Sequence, residues 1–267
     1  MTPRPLIIER RICMEKNALE GVIGSRIVSC KYGENAWQTP AYLYSIGTQD
    51  LLALDKFIVM EGTSPSYNNW VDIDRLLQTA THIAEGYAVN EGVGTAIAVG
   101  VKHGNPCGAA AGPDRGEVFR KMMAGDPLAI FGGLVMANFE VDEALCESLA
   151  GKMLDGIIAP AFTPSAIAIL RRKSDKCRFV VNPALSNLVG HLDQTLKLRF
   201  VRGGFLVQPN YTFVPDFNRG QIVKHGNTGQ IFRVVGQTRR EYVNVPGSTA
   251  AQQIAADINN GSNPSRP

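Results

Sequence analysis

Cysteine is scarce in this chain and poorly spaced for metal binding. The five residues at 13, 30, 107, 146 and 177 include no pair at ligand spacing. An odd count without such spacing argues against a disulfide framework and against structural zinc, and it suits a reducing compartment. Long apolar runs are lacking too. No stretch approaches the roughly 18 uncharged apolar residues of a membrane span. The opening residues, Met1-Thr-Pro-Arg-Pro-Leu-Ile-Ile-Glu-Arg-Arg11, hold no h-region of a secretory signal. A cytoplasmic location is therefore expected. Charge is nearly balanced, with 27 Lys and Arg against 24 Asp and Glu. Basic clusters at Arg10-Arg11, Arg171-Arg172-Lys173 and Arg239-Arg240 are short and not interleaved with aromatics, so they read as solvated surface and no nucleic-acid partner is expected. What is present is ordinary for a globular chain: 45% apolar and 19% charged residues over 267 positions. That suffices for a sizeable core in one large domain or two small ones.

Periodicity locates the core elements. Over 72–87, Ile73, Leu76, Leu77, Ala80, Ile83, Ala84 and Tyr87 form one helical apolar stripe. Gly92 and Gly94 end it. The uninterrupted run 95–101 reads as a strand covered on both faces. A helix over Arg115–Met123, a strand over 130–136 and a helix over 141–153 follow, the last with Asp142 and Glu143 favourable in its first turn. Gly156–Ala159 is a strand. Thr163-Pro164 then supplies an N-cap and a first-turn proline for a helix to about residue 173. A strand at 179–181 closes the series, and short strands are predicted at 42–46 and 57–60. Alternating strands and helices indicate a layered α/β domain. In such domains ligands gather outside the carboxyl ends of parallel strands. Beyond residue 182 the pattern weakens. An edge strand at 202–207 and a short helix at 250–258 are predicted, and the Asn-, Gly- and Pro-rich tail 259–267 is expected to be disordered.

Lys102-His-Gly-Asn-Pro-Cys-Gly108 carries the chemistry. A strand ending in Lys-His, followed by a tight turn over Asn105-Pro-Cys-Gly108, presents a proton-transfer group at the mouth of a sheet. Pro106-Cys107 invites comparison with zinc deaminases, but the second cysteine is missing and His103 has no glutamate two residues on. Zinc is rejected, and Cys107 reads as a packing residue. Lys31 in Lys31-Tyr-Gly-Glu-Asn35 suits phosphate as a point charge, or simply a solvated loop. Ser64-Pro-Ser-Tyr-Asn-Asn69 supplies helix caps and free amides that attract anions. Phe131-Gly132-Gly133 allows close backbone approach to a flat ligand, or a kinked strand. Asp155-Gly156 orients a substrate amide, or forms a turn.

The order and spacing of these segments resemble one family. Lys31-Tyr-Gly-Glu-Asn-Ala-Trp-Gln38 is similar to the Arg-Tyr-Gly-Glu-Asn-Pro-His-Gln motif of AICAR transformylase, the formyltransferase half of a bifunctional purine biosynthesis protein. Ser66-Tyr-Asn-Asn69, Lys102-His-Gly-Asn-Pro-Cys-Gly108, Asp126-Pro-Leu-Ala-Ile-Phe-Gly-Gly133, Asp155-Gly-Ile-Ile-Ala-Pro160 and Gly203-Gly-Phe-Leu-Val-Gln208 resemble later motifs of that family. The resemblance implies a three-layer, cytidine-deaminase-like α/β fold without zinc. It implies formyl transfer from 10-formyltetrahydrofolate to the 5-amino group of aminoimidazole carboxamide ribonucleotide. By motif, Lys102 and His103 are catalytic, and Lys31, Tyr32, Asn69, Gly132 and Asp155 bind the ribonucleotide. Phe131 and Leu128 meet the folate. It also implies no metal, and a homodimer whose sites lie at the subunit interface.

The organisation expected is an N-terminal segment 1–27, a transformylase-like lobe 28–210, an irregular extension 211–258 and the tail 259–267. Only 30 residues precede Lys31, so cyclohydrolase activity is not expected. The family's second lobe is marked by Gly-Ala-Gly-Gln-x-Ser-Arg, Lys-Tyr-Thr-x-Ser-Asn and Ala-Phe-Phe-Pro-Phe, none of which occurs here. Lys31 replaces the leading arginine and loses its bidentate phosphate grip. Ala36-Trp37 replaces Pro-His, and Ala129-Ile130 stand where a serine usually precedes Phe131. Two readings follow. The chain is a short or split formyltransferase, or it is a non-catalytic purine-ribonucleotide-binding paralog awaiting a second-lobe partner.

Overall fold

A computed structural model describes residues 5–7, 23–92, 94–216, 222–224, 231–234 and 240–242. The helix predicted at 250–258 and the tail 259–267 lie outside the described residues. The chain divides into a unit of residues 1–83 with 95–191 and a unit of 84–94 with 192–267.

The first unit contains two sheets. β1 (Pro5–Ile7), β2 (Ile23–Cys30) and β3 (Ala41–Ser45) form a three-stranded antiparallel sheet. The larger sheet is built from β4 (Ile58–Glu61), β5 (Ala96–Lys102), β6 (Asn105–Gly112), β7 (Leu134–Ala137), β8 (Gly156–Ala159) and β9 (Arg178–Val181), in the spatial order β4-β9-β8-β7-β5-β6. α1 (Tyr67–Glu91) precedes β5, α2 (Arg115–Met123) joins β6 to β7, α3 (Glu143–Cys146) lies between β7 and β8, and α4 (Pro164–Leu170) between β8 and β9.

Both faces of the inner strands β5, β7, β8 and β9 are buried, as their apolar runs require. Ala98, Val135, Ile157 and Phe179 pack with Val118, Phe119 and Met122 of α2, Leu145 of α3 and Ala166 and Ile167 of α4 in one cluster. By strand alternation Ile97, Val99, Met136, Ile158 and Val180 point the other way, and they too are buried. The buried stripe of α1, Ile73, Leu76, Leu77 and Ala80, is not part of the first cluster. Short helices are fixed by their caps. Asp114 accepts from the Glu117 amide, Asp142 from Leu145, and Thr163 from Ala166 ahead of Pro164.

The structure departs from the sequence expectations at several places. The strand predicted over 130–136 begins only at Leu134. Asp126 Oδ1 collects the amides of Leu128 and Ala129, and Gly132 has φ +73°, so 126–133 is a run of turns. The helix predicted over 141–153 is four residues long, followed by turns to Gly151 at φ +72°. α1 starts five residues before 72, because Ser66 and Asn69 cap each other: the Asn69 amide donates to Ser66 Oγ and the Ser66 amide to Asn69 Oδ1. Finally, Asn105-Pro-Cys-Gly108 is not a turn. It opens β6, which runs back antiparallel to β5.

That last difference reorients the sheet. β7, β8 and β9 are mutually parallel, while β5 is antiparallel to β7. The carboxyl end of β5 therefore meets the amino ends of the parallel strands, not their carboxyl ends. In the second unit, β10 (Leu196–Val201) and β11 (Gly204–Pro209) form an antiparallel hairpin, so Arg202-Gly203 is a turn and the predicted strand 202–207 shifts by two residues. Three short strands, β12 (Ile222–Lys224), β13 (Ile231–Val234) and β14 (Arg240–Tyr242), pair antiparallel.

Candidate functional site

The turn between β5 and β6 has two residues, His103 and Gly104, at φ 52° and 74°. Positive φ at both positions marks a type I′ hairpin, whose twist matches the flanking strands. Glycine takes this conformation freely, and histidine is among the few other residues found there. The loop places the exposed His103 at the sheet edge, directly after the half-buried Lys102. The Lys102 ammonium donates to the Phe131 carbonyl and lies 5.9 Å from the Phe131 ring centroid.

Register brings the other residues to the same edge. Val101 pairs with Leu134, Leu134 with Gly156 and Gly156 with Arg178, so Lys102, Gly132-Gly133, Asp155 and Arg178 line one end of the sheet. The Asp155 amide donates to the Gly133 carbonyl at 2.9 Å, and the Arg178 amide to the Asp155 carbonyl at 3.1 Å. The Arg178 guanidinium bonds the same carbonyl at 3.0 Å and reaches Ser64 O at 3.4 Å, tying the start of α1 to this edge. Arg172 lies 3.6 Å from the Asp155 carboxylate and donates to Leu154 O at 2.6 Å. Leu128 and Phe131 are exposed by 88% and 58% on the turns beside Lys102. The arrangement offers an accessible imidazole, an ammonium, a carboxylate held beside two arginines, and an apolar platform.

The hairpin has a second clamp, which the sequence reading missed. Asp72 of α1 accepts from the Gly104 amide at 2.6 Å and from the His103 amide at 3.3 Å. Asp72 is only 4% exposed. Burial pushes the Asp72 carboxyl above its usual range, and the two turn amides pull it only part of the way back. A signal for it existed. Once the helix starts at Tyr67, Asp72 falls with Asn69, Ile73 and Leu76 on the buried stripe, where a carboxylate needs a partner. Arg172 and Arg178 carried no comparable signal.

The remaining predicted residues are placed differently. Asn69 is buried at 7% exposure, and its side-chain oxygen serves the cap of α1. Lys31 and Tyr32 lie on the turn that follows β2, with the lysine 5.9 Å from the tyrosine ring centroid. Gln38 closes that turn, accepting from the Asn35 amide at 2.6 Å, and Asn68 joins it to α1 through the Glu34 carbonyl at 3.3 Å. Tyr67, Trp70, Val71 and Asp74, at helical spacing on another flank of α1, line a cavity of about 310 Å³ with Cys30, Tyr42, Leu43 and Leu54. Cys107 is half-buried against the core, its thiol 3.5 Å from the Gly100 carbonyl. Among the described residues no group of three or more His, Cys, Asp and Glu is disposed to hold a metal ion, and no helix is long and apolar enough to cross a membrane.

Comparison with known proteins gives the following. A family model described as AICARFT/IMPCHase bienzyme matches residues 12–230. The bifunctional purine biosynthesis protein PurH of Rhodopirellula baltica is 38% identical over 188 residues, covering 68% of this chain and 33% of the relative. PurH of Listeria monocytogenes is 34% identical over 194 residues, 72% of this chain and 35% of its own length. PurH of Anoxybacillus flavithermus is 35% identical over 188 residues, 70% and 34% respectively. The chain thus spans about a third of the length of the curated relatives it matches. Acinetobacter baumannii RibD aligns over 46% of this chain and 39% of its own at 15% identity and a TM-score of 0.33, a likeness too slight to assign a fold.

Proposed function

The chain belongs to the AICARFT/IMPCHase bienzyme family, and from that premise we propose that it serves purine biosynthesis by formyl transfer to the 5-amino group of aminoimidazole carboxamide ribonucleotide. The observation that carries this reading is the Lys102-His103 pair on a type I′ hairpin, at the sheet edge shared by Gly132 and Asp155. The cosubstrate, 10-formyltetrahydrofolate, supplies the formyl group. The amine nitrogen attacks the formyl carbon, the bond from that carbon to the folate N10 breaks, and N10 takes up a proton. His103 is the acceptor for the proton the amine sheds, since its ring is exposed at the end of the strand. Lys102, over the Phe131-Gly132 turn, sets the charge beside it. Asp155, steadied by Arg172, accepts from the carboxamide of the ribonucleotide. Leu128 and Phe131 suit the flat face of the folate ring. Lys31 and Tyr32 approach the phosphate, and Asn69 has its amide group left for the nucleotide. The fold assigned with this reading is the three-layer cytidine-deaminase-like architecture without zinc. A homodimer, or a partner bearing the second lobe, completes the site, and the chain works in the cytoplasm.

The test is calorimetric titration of the chain with the ribonucleotide, followed by addition of 10-formyltetrahydrofolate and an assay for formylated product. Binding with turnover is expected, with turnover falling about 100-fold or more in His103→Ala, the size of a general-base contribution. Binding without turnover would favour the non-catalytic paralog. No binding of the ribonucleotide would overturn both.

A further inference from the structure

We propose that Asp72 is a positioning residue for the His103 imidazole, a role that rests on the formyl-transfer reading above. In a two-residue hairpin loop the amides of both loop residues have no partner in the strand ladder, and each must be satisfied elsewhere. Here one carboxylate takes both, at 2.6 and 3.3 Å, and it comes from a different element, α1. The clamp fixes more than two hydrogen bonds. His103 sits at φ 52°, a region that most L-residues avoid because Cβ crowds the backbone. Were the loop to relax to negative φ, the flanking strands would splay and the ring would leave the edge it shares with Gly132 and Asp155. Asp72 opposes that relaxation from beneath while the ring itself remains exposed.

A purely structural role accounts poorly for this residue. Burial disfavours its charge and the turn amides only partly compensate, so the ionised group costs the fold stability at neutral pH. The charged groups that its carboxylate senses are His103 and Asp155, both members of the proposed site. A carboxylate retained at that cost, aimed at the backbone of the proton-transfer residue, is explained by what it holds in place.

Asp72→Asn keeps the shape and removes the charge. In the full chain it is expected to leave the melting temperature unchanged or raised. It moves the amide proton resonances of His103 and Gly104 upfield, as charge-assisted bonds are lost, and lowers kcat about 100-fold with KM for the ribonucleotide shifted less than about threefold, since a misplacement near 1 Å suffices for such a loss. A second variant reads the backbone directly. Glycine at 103 has no φ penalty, so adding His103→Gly to Asp72→Ala should shrink the melting shift that Asp72→Ala causes alone. Unmoved amide resonances with an unchanged kcat, or equal melting shifts in both backgrounds, would overturn the proposal. A wild-type chain with neither binding nor turnover would overturn the formyl-transfer reading instead, and the amide shifts and the melting comparison would still show whether the clamp exists.

Discussion

Replacing Gly108 by alanine should damage this protein more than replacing Gly104, although only Gly104 has a positive φ. Gly108 pairs with Gly100 across the β5–β6 hairpin, and the end of α2 sits directly on the pair. A Cβ built at Gly108 would lie 2.1 Å from the Met122 carbonyl oxygen and 3.1 Å from its carbon. The obstacle is backbone, so no rotamer change relieves it. Either α2 lifts, exposing Phe119 and Met122, which are 0% and 1% exposed, or the hairpin tilts. Overpacking costs about 1–3 kcal/mol even where side chains can shift, and a backbone clash belongs at the upper end, about 3 kcal/mol. For a unit of this size each kcal/mol is worth about 2–4 °C, so the expected fall is about 6–12 °C. At Gly104 a Cβ meets nothing within 4 Å, and only the φ of 74° is penalised. That cost is about 1–2 kcal/mol. Thermal unfolding followed by far-ultraviolet circular dichroism compares the two. If Gly108→Ala melts within 2 °C of wild type, or above Gly104→Ala, the close approach of α2 to the hairpin is wrong.

Two further outcomes are expected. Asp114→Ala removes the cap of α2, where Asp114 Oδ1 accepts from the Glu117 amide at 2.7 Å, and should cost about 1 kcal/mol in a urea titration; Asp114→Asn should recover most of it, and equal losses in both would show that the cap is not the cause. Cys177 is 2% exposed and burial pushes its thiol up to about 11, while Cys30 and Cys107 are only half-buried. Peptide mapping after brief alkylation at pH 8 should find label on Cys30 and Cys107 well before Cys177 and Cys146, and early labelling of Cys177 would contradict the packing around it.

The elements most legible in the sequence were those whose signals are local. The helix Arg115–Met123, the strand Gly156–Ala159 and the Thr163-Pro164 helix start need only a cap, a proline or an apolar run, and the structure has them there. Errors arose where side-chain capping of nearby amides overrode the apolar pattern. Asp126 took the amides of Leu128 and Ala129 into turns ahead of the strand, and Ser66 with Asn69 began α1 a turn and a half before the apolar stripe did. Of the candidate site, Lys102, His103, Phe131, Gly132 and Asp155 were legible as motifs and Leu128 entered through the resemblance; the sheet register brings the ends bearing Lys102, Gly132 and Asp155 together. Asp72 was passed over because its partners are backbone amides more than thirty residues away. Backbone donors have no residue type, so no pattern announces them.

Taken alone, the sequence settled the α/β class and the chemical groups on offer, because apolar spacing and side-chain type are properties of the chain itself. It also pointed to a turn directly after the Lys-His pair, at 105–108, where the structure instead starts β6. Only the tertiary structure decided that the strand reverses as a type I′ hairpin, that β5 runs against β7, and that the imidazole stands at the amino ends of the parallel strands. Strand direction is set by which neighbour closes the sheet and covers the core, a choice made over the whole unit and visible at no single residue.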